Sequence, residues 1–121
     1  MAAFEDLAAI PPQGIWDRIA ARSRNGRELT LSVVELDPGA VVAEHRHPNE
    51  QLGIVVRGSM DFRVGEERRE LGPGGTWLIP ADTPHAATAG PDGAVVIDVF
   101  SPPRDDWKAL EPEQPRQPRW P

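Results

Sequence analysis

Glycine and proline punctuate this chain so closely that few segments between them are long enough for an ordinary helix. Fourteen prolines and eleven glycines stand in 121 residues, about a fifth of the chain where roughly 12% is usual. Runs at 15–22 and 28–36 flank Ser23-Arg24-Asn25-Gly26. Asn-Gly between two apolar-bearing runs predicts a hairpin, because both residues tolerate positive φ. Asp37-Pro38-Gly39 is the next turn, followed by runs at 40–47 and 51–64. Gly58 interrupts the second of these and marks a bulge or bend. Gly65-Glu66-Glu67, Gly72-Pro73-Gly74-Gly75 and Gly90-Pro91-Asp92-Gly93 make further turns among runs at 68–71, 76–79, 86–89 and 94–100. Turn signals about every 8–12 residues predict an all-β antiparallel sandwich or barrel, not βαβ units.

The length suits one domain with a single core. Residues 1–13 read as an N-terminal arm, with modest helical character from Phe4 to Ile10 stopped by Pro11-Pro12. Residues 14–104 read as the barrel and 105–121 as a proline-rich tail. Pro102, Pro103, Pro112, Pro115, Pro118 and Pro121 leave that end room for at most one helical turn, near 105–110. The rest is extended or disordered unless Trp107 and Trp120 dock.

The net charge of −6 comes with arginines scattered among acids, so the concentrated positive field that nucleic acid requires is missing. The chain has no cysteine, which removes disulfides, thiolate metal sites and thiol nucleophiles and suits a reducing compartment. Acids at Glu5 and Asp6 stand where a leader peptide would be basic. No apolar run approaches the roughly 20 residues of a membrane helix. The expectation is a cytoplasmic protein that contacts neither membrane nor nucleic acid.

All three histidines stand near turns. On a strand, the two in His45-Arg46-His47 project from one face roughly 6.5 Å apart, close enough for two imidazoles to lean onto one ion. Pro48-Asn49 bends the chain before Gln51, and His85 follows the rigid turn Pro80-Ala81-Asp82-Thr83-Pro84. The run at 94–100 is apolar except for Asp98. An ionised carboxylate there needs a partner, and alternation puts Asp98 on one face with Val96 and Phe100. On the cavity side Asp98 is a proton-transfer candidate; otherwise it is a structural group, bonded to a turn amide or paired with Arg104.

In these residues the chain resembles the cupin superfamily. Gly39, His45, His47, Gln51 and Gly58 match the family's first motif in spacing. Gly74, Pro80 and His85 match the second, with Asp82 where the motif has its second glycine and Ala89 where asparagine is common. The resemblance implies a small single-domain barrel of jelly-roll type and a divalent metal ion, Zn, Ni, Fe or Mn, held by His45, His47, Gln51 and His85. Glu50 is the rival of Gln51; if Gln51 faces the cavity, Glu50 faces away. Gly53 then lies on the cavity side and leaves room for substrate. Leu52, Ile54 and Val56 share the opposite face, whose apolar character fits core packing, a covering segment or a homodimer surface.

A narrower resemblance joins the segment 45–51, His-Arg-His-Pro-Asn-Glu-Gln, to Asp98-Val99-Phe100-Ser101-Pro102-Pro103-Arg104. Together they look like the small pectin- and alginate-degradation cupins that convert 4,5-unsaturated monouronates to open-chain keto sugars. That likeness implies catalytic or substrate-binding roles for Asp98 and Arg104 and a pocket-lining role for Phe100. Four neutral ligands leave a divalent ion its full charge, which favours Lewis-acid chemistry on a small anionic substrate. The expected activity is that of a metal-dependent isomerase or lyase. A cupin dioxygenase acting on an enolisable substrate and a non-catalytic sugar- or metabolite-binding cupin are the alternatives.

Overall fold

The computed structural model describes residues 2–121. Eight strands follow in chain order: β1 (Gln13–Trp16), β2 (Ile19–Asn25), β3 (Thr30–Leu36), β4 (Val41–His45), β5 (Glu50–Val64), β6 (Glu67–Leu71), β7 (Thr76–Ile79) and β8 (His85–Ser101). Two single 3-10 turns, Leu7–Ala9 and Asp105–Trp107, are the only helical pieces among the described residues. The all-β expectation therefore holds, in an antiparallel sheet of order β1-β2-β3-β8-β5-β6, with β4 on β8 and β7 on β5.

Two turns differ from the expectation. The run at 15–22 is split, because Asp17-Arg18 reverses the chain between β1 and β2, with Arg18 at φ 63. Nothing in an Asp-Arg pair advertises the left-handed backbone that glycine or asparagine supplies more cheaply. In the next hairpin Arg24 and Asn25 stay in the ladder, opposite Leu31 and Thr30, and the reversal falls at 26–29. Gly90-Pro91-Asp92-Gly93, read as a turn, lies within the long strand β8 as a local break in register opposite Ser59.

β5 and β8 run side by side for most of their length and carry the barrel. Gly58, at φ 76, sits against the backbone of Gly93 and Ala94, where an added Cβ would collide. The bulge just before it, between Val55 and Arg57, switches the inward positions of β5 from Gln51 and Val55 to Met60 and Phe62. One strand thus sends Gln51 into the site at one end of the barrel and only apolar side chains into the core beyond it. Val34, Leu36, Val55, Met60, Phe62, Trp77, Ile79 and Val96 make the core, with the rings of Phe62 and Trp77 stacked 4.7 Å apart.

The tail follows the barrel wall. Trp107 packs on the core, and the Glu113 amide donates to the Pro12 carbonyl at 2.7 Å. Further on, Arg116 pairs with Glu35, whose other oxygen takes the Arg119 amide at 2.7 Å and the buried Arg22 at 3.0 Å. Among the described residues no helix is long and apolar enough to cross a membrane.

Candidate metal centre

Three separate pieces of chain bring the histidines together. His45 ends β4, His47 stands in the β4–β5 connection, and His85 opens β8, where it pairs in register with His45. The two residues of His-x-His therefore do not share a strand; the chain leaves β4 between them and still points both inward. The turn before His85 contains Asp82 at φ 59, so this residue adopts the left-handed backbone for which glycine is the usual choice. One ligand atom from each of the three imidazoles lies within 4.8 Å of the others.

Each ring is oriented by its own backbone. His45 Nδ1 lies 2.9 Å from the Ala43 carbonyl, His47 Nδ1 3.0 Å from that of Asn49 and His85 Nδ1 2.8 Å from that of Thr83. A carbonyl only accepts, so each Nδ1 donates, and in the neutral ring Nε2 keeps its lone pair for a ligand. Burial pushes the His85 pKa down to about 4 and lowers that of His47, with the Arg104 charge adding to the effect at both. Those two rings are therefore uncharged at neutral pH, the state in which imidazole binds a metal.

Gln51, at 7% exposure, reaches the same point, whereas Glu50 faces solvent. Its Nε2 donates to Asp98 Oδ1 at 2.8 Å, which fixes the amide's orientation and turns Oε1 toward His47 Nε2 at 3.1 Å. With neutral His47 donating through Nδ1, two lone-pair-bearing atoms face each other there. Such a contact is relieved by a cation bound to both, or by a proton on Nε2. Three imidazoles and one amide oxygen thus fit a divalent first-row ion.

Asp98, Arg104 and Phe100 border the same cavity as His45, His85 and Gln51. Asp98 Oδ1 also accepts from Trp77 Nε1 at 3.0 Å, while Oδ2 takes no protein hydrogen bond. No fully enclosed side-chain oxygen or nitrogen lacks a partner among the described residues, so Oδ2 is reached from the cavity. Burial raises the Asp98 pKa to about 6 against the opposing hydrogen bonds of Gln51 and Trp77 and the charge of Arg104. Phe100 meets His47 edge-on, with ring centroids 5.8 Å apart.

One expectation needs correction, and one alternative falls away. Gly53 does not leave room for substrate. A Cβ there would overlap the Trp77 indole and the Asp98 carboxylate, so the missing side chain makes space for their hydrogen bond instead. Arg104 makes no direct pair with Asp98. Its Nε and Nη2 donate to Asp106 at 3.0 and 2.9 Å, and its Cζ lies 4.8 Å from the Phe100 centroid and 4.1 Å from that of Trp107. Sequence reading also missed Asn49, whose Nδ2 donates to the Pro102 carbonyl at 2.6 Å and ties the histidine loop to the arginine loop. Its place beside Pro48 marked a bend and gave no sign of a partner 53 residues away.

Comparison with known proteins agrees with this geometry. The cupin domain family matches residues 32–100. The chain is 30% identical to the pectin degradation protein KdgF of Dickeya dadantii over 81 residues, 66% of this chain and 74% of that protein. The solved structure of KdgF from a Halomonas species superposes with a TM-score of 0.80 at 32% identity, covering 88% of this chain and 98% of that one. An RmlC-like cupin from Shewanella frigidimarina gives 0.81 at 26% identity, covering 88% and 96%. In fold, in motif spacing and in the convergence of its three histidines, this chain belongs to the cupin family.

Proposed function

We propose that this cupin opens the ring of 4,5-unsaturated monouronates to give linear keto sugar acids, an isomerisation that needs neither water nor a redox partner. The observation that carries the reading is the bridge from His47 through Gln51 to Asp98, which sets a proton-transfer carboxyl one amide away from a candidate ligand. The substrate class is what the resemblance of segments 45–51 and 98–104 implies, and likeness to a pectin degradation protein supports it. A divalent ion held by His45, His47, His85 and Gln51 supplies Lewis-acid polarisation of a substrate oxygen when bound.

The chain's own groups do the rest. Arg104 holds the substrate carboxylate. Asp98 Oδ2 takes the proton of the C1 hydroxyl as the C1–O5 bond breaks, leaving an aldehyde at C1 and an enolate over O5, C5 and C4. The same carboxyl then returns a proton to C4, so atoms and charge balance. A group with pKa near 6 is suited to both transfers near neutral pH. Phe100 walls the pocket beside Arg104. We also propose that the protein works in the cytoplasm as a homodimer, joined through the outer face that carries Leu31, Leu52 and Leu78.

The test is turnover of unsaturated galacturonate by metal-loaded protein, followed as loss of the ultraviolet absorbance of the C4=C5 bond. Asp98→Asn is expected to lower kcat by about 10²–10⁴-fold with metal content unchanged. Full activity in that variant removes Asp98 from the chemistry. Binding without turnover across unsaturated uronates assigns a non-catalytic cupin, and oxygen consumption with an enolisable substrate assigns a dioxygenase.

A further inference from the structure

Arg104 is an unusually constrained arginine. Its backbone N–H donates to Thr30 Oγ1 at 2.9 Å, and the Pro102-Pro103 link before it is held by Asn49. The side chain is 8% exposed and rests in the corner between the Phe100 and Trp107 rings, which meet edge-on with centroids 5.2 Å apart. Beyond it Gln13 Nε2, on β1, donates to the carbonyls of Trp107 at 3.2 Å and Leu110 at 2.8 Å.

Asp106 completes this arrangement from outside. Arg104 borders the cavity and Asp106 does not. The carboxylate, 63% exposed, grips the Nε and Nη2 edge and leaves Nη1 without a protein acceptor. Because no enclosed side-chain nitrogen lacks a partner, Nη1 is open to solvent or cavity. A guanidinium has two edges able to take a carboxylate in bidentate fashion. With one of them closed, only the edge bearing Nη1 is available to a ligand.

We propose that Asp106 is a positioning residue. By holding the Nε–Nη2 edge of Arg104, it presents the Nη1 edge to the carboxylate of the substrate and thereby sets affinity for anions. This rests on the reading of Arg104 as the anion-binding residue, and it assigns a function to part of the tail that the histidine motifs do not reach. It also gives the arginine a local counter-charge, so that the anion site presents a directed donor edge in place of a diffuse positive field. Asp106 acts through Arg104 alone and touches no reacting atom.

A double-mutant cycle tests this. Binding of D-galacturonate, a saturated and unreactive sugar acid, is measured by titration calorimetry on metal-loaded wild-type protein, Asp106→Ala, Arg104→Lys and the double variant. Asp106→Ala is expected to weaken binding about tenfold, and to raise KM for unsaturated galacturonate by a similar factor with kcat nearly unchanged. In the Arg104→Lys background the same substitution is expected to cost less than twofold, since lysine cannot be held by its edge. Asp106→Glu and Asp106→Asn, made with Arg104 intact, should recover part of the loss and keep the test valid if Arg104→Lys fails to fold. Equal losses in both backgrounds, no loss in Asp106→Ala, or absence of galacturonate binding to wild type each overturn the proposal. Binding without turnover of the unsaturated sugar overturns the proposed reaction and leaves the role of Asp106 standing.

Discussion

At the scale of the residue, the site is governed by which polar atoms have partners. Asp98 is buried with two donors on one oxygen and none on the other, and its pKa of about 6 lies above the ordinary carboxylate value of 3.8. A carboxyl whose folded-state pKa is raised stabilises the protein below its unfolded pKa and loses that contribution as pH rises through the folded value. In chelator-stripped protein, Asp98→Asn should therefore gain on the order of 3 kcal/mol over wild type at about pH 8. Its advantage should vanish below about pH 4. Urea unfolding at a series of pH values measures this, and a pH-independent difference would contradict it. His85 acts in the opposite direction. Its pKa, lowered to about 4, gives stability above the ordinary 6.5 that is lost as pH falls through 4. Comparing the two proteins at each pH isolates the aspartate. Gly53 belongs to the same cluster, because any side chain there displaces the indole or the carboxylate.

At the scale of the element, the tail matters more than its composition predicts. Glu35 and Arg22 are 2% and 1% exposed, on the outer wall of β3 and β2, and the tail's Arg116 and Arg119 complete their surroundings. Burial alone would raise the Glu35 pKa, yet the Arg119 amide and the Arg116 and Arg22 charges bring it below the usual range. Removing one partner from a buried pair strands the other. Glu35→Ala should cost about 3–5 kcal/mol, with Arg22 left uncompensated. It should also expose 111–119 to limited proteolysis; cleavage and unfolding at wild-type rates would show that the network does not hold the tail. The prolines left the tail extended or disordered, and its docking partners were not legible, since Pro12, Arg22, Glu35 and Arg57 lie more than 50 positions away. The β1–β2 reversal escaped for the opposite reason. It is local, but Asp17-Arg18 carries no residue that prefers its backbone.

At the scale of the whole molecule, the outer sheet face presents an apolar row. Leu52 pairs with Leu78 on β7 and with Val99 on β8, and Val99 pairs with Leu31 on β3. Leu31, Leu52 and Leu78 are 47%, 53% and 55% exposed in the single chain. For the proposed homodimer, light scattering after gel filtration should give twice the chain mass. Leu52→Asp should shift it to the monomer while the fold is kept, because a charge in the centre of an apolar contact must be desolvated. A monomeric wild type at micromolar concentration would refute this assembly.

Sequence alone determined the β class, through the spacing of glycines and prolines. It also singled out Asp98 as one acid in an apolar strand and, through resemblance to family motifs, the histidines, Gln51 and Arg104. Both are local signals, set by what a short stretch of backbone can adopt and by the period of a strand. Only the tertiary structure decided the rest: that Gly53 makes space for Trp77 and Asp98, that Arg104 answers to Asp106, that Asn49 ties two loops together and that the tail is pinned by Glu35. Each of these depends on atoms brought together across the barrel, and chain order does not encode that distance.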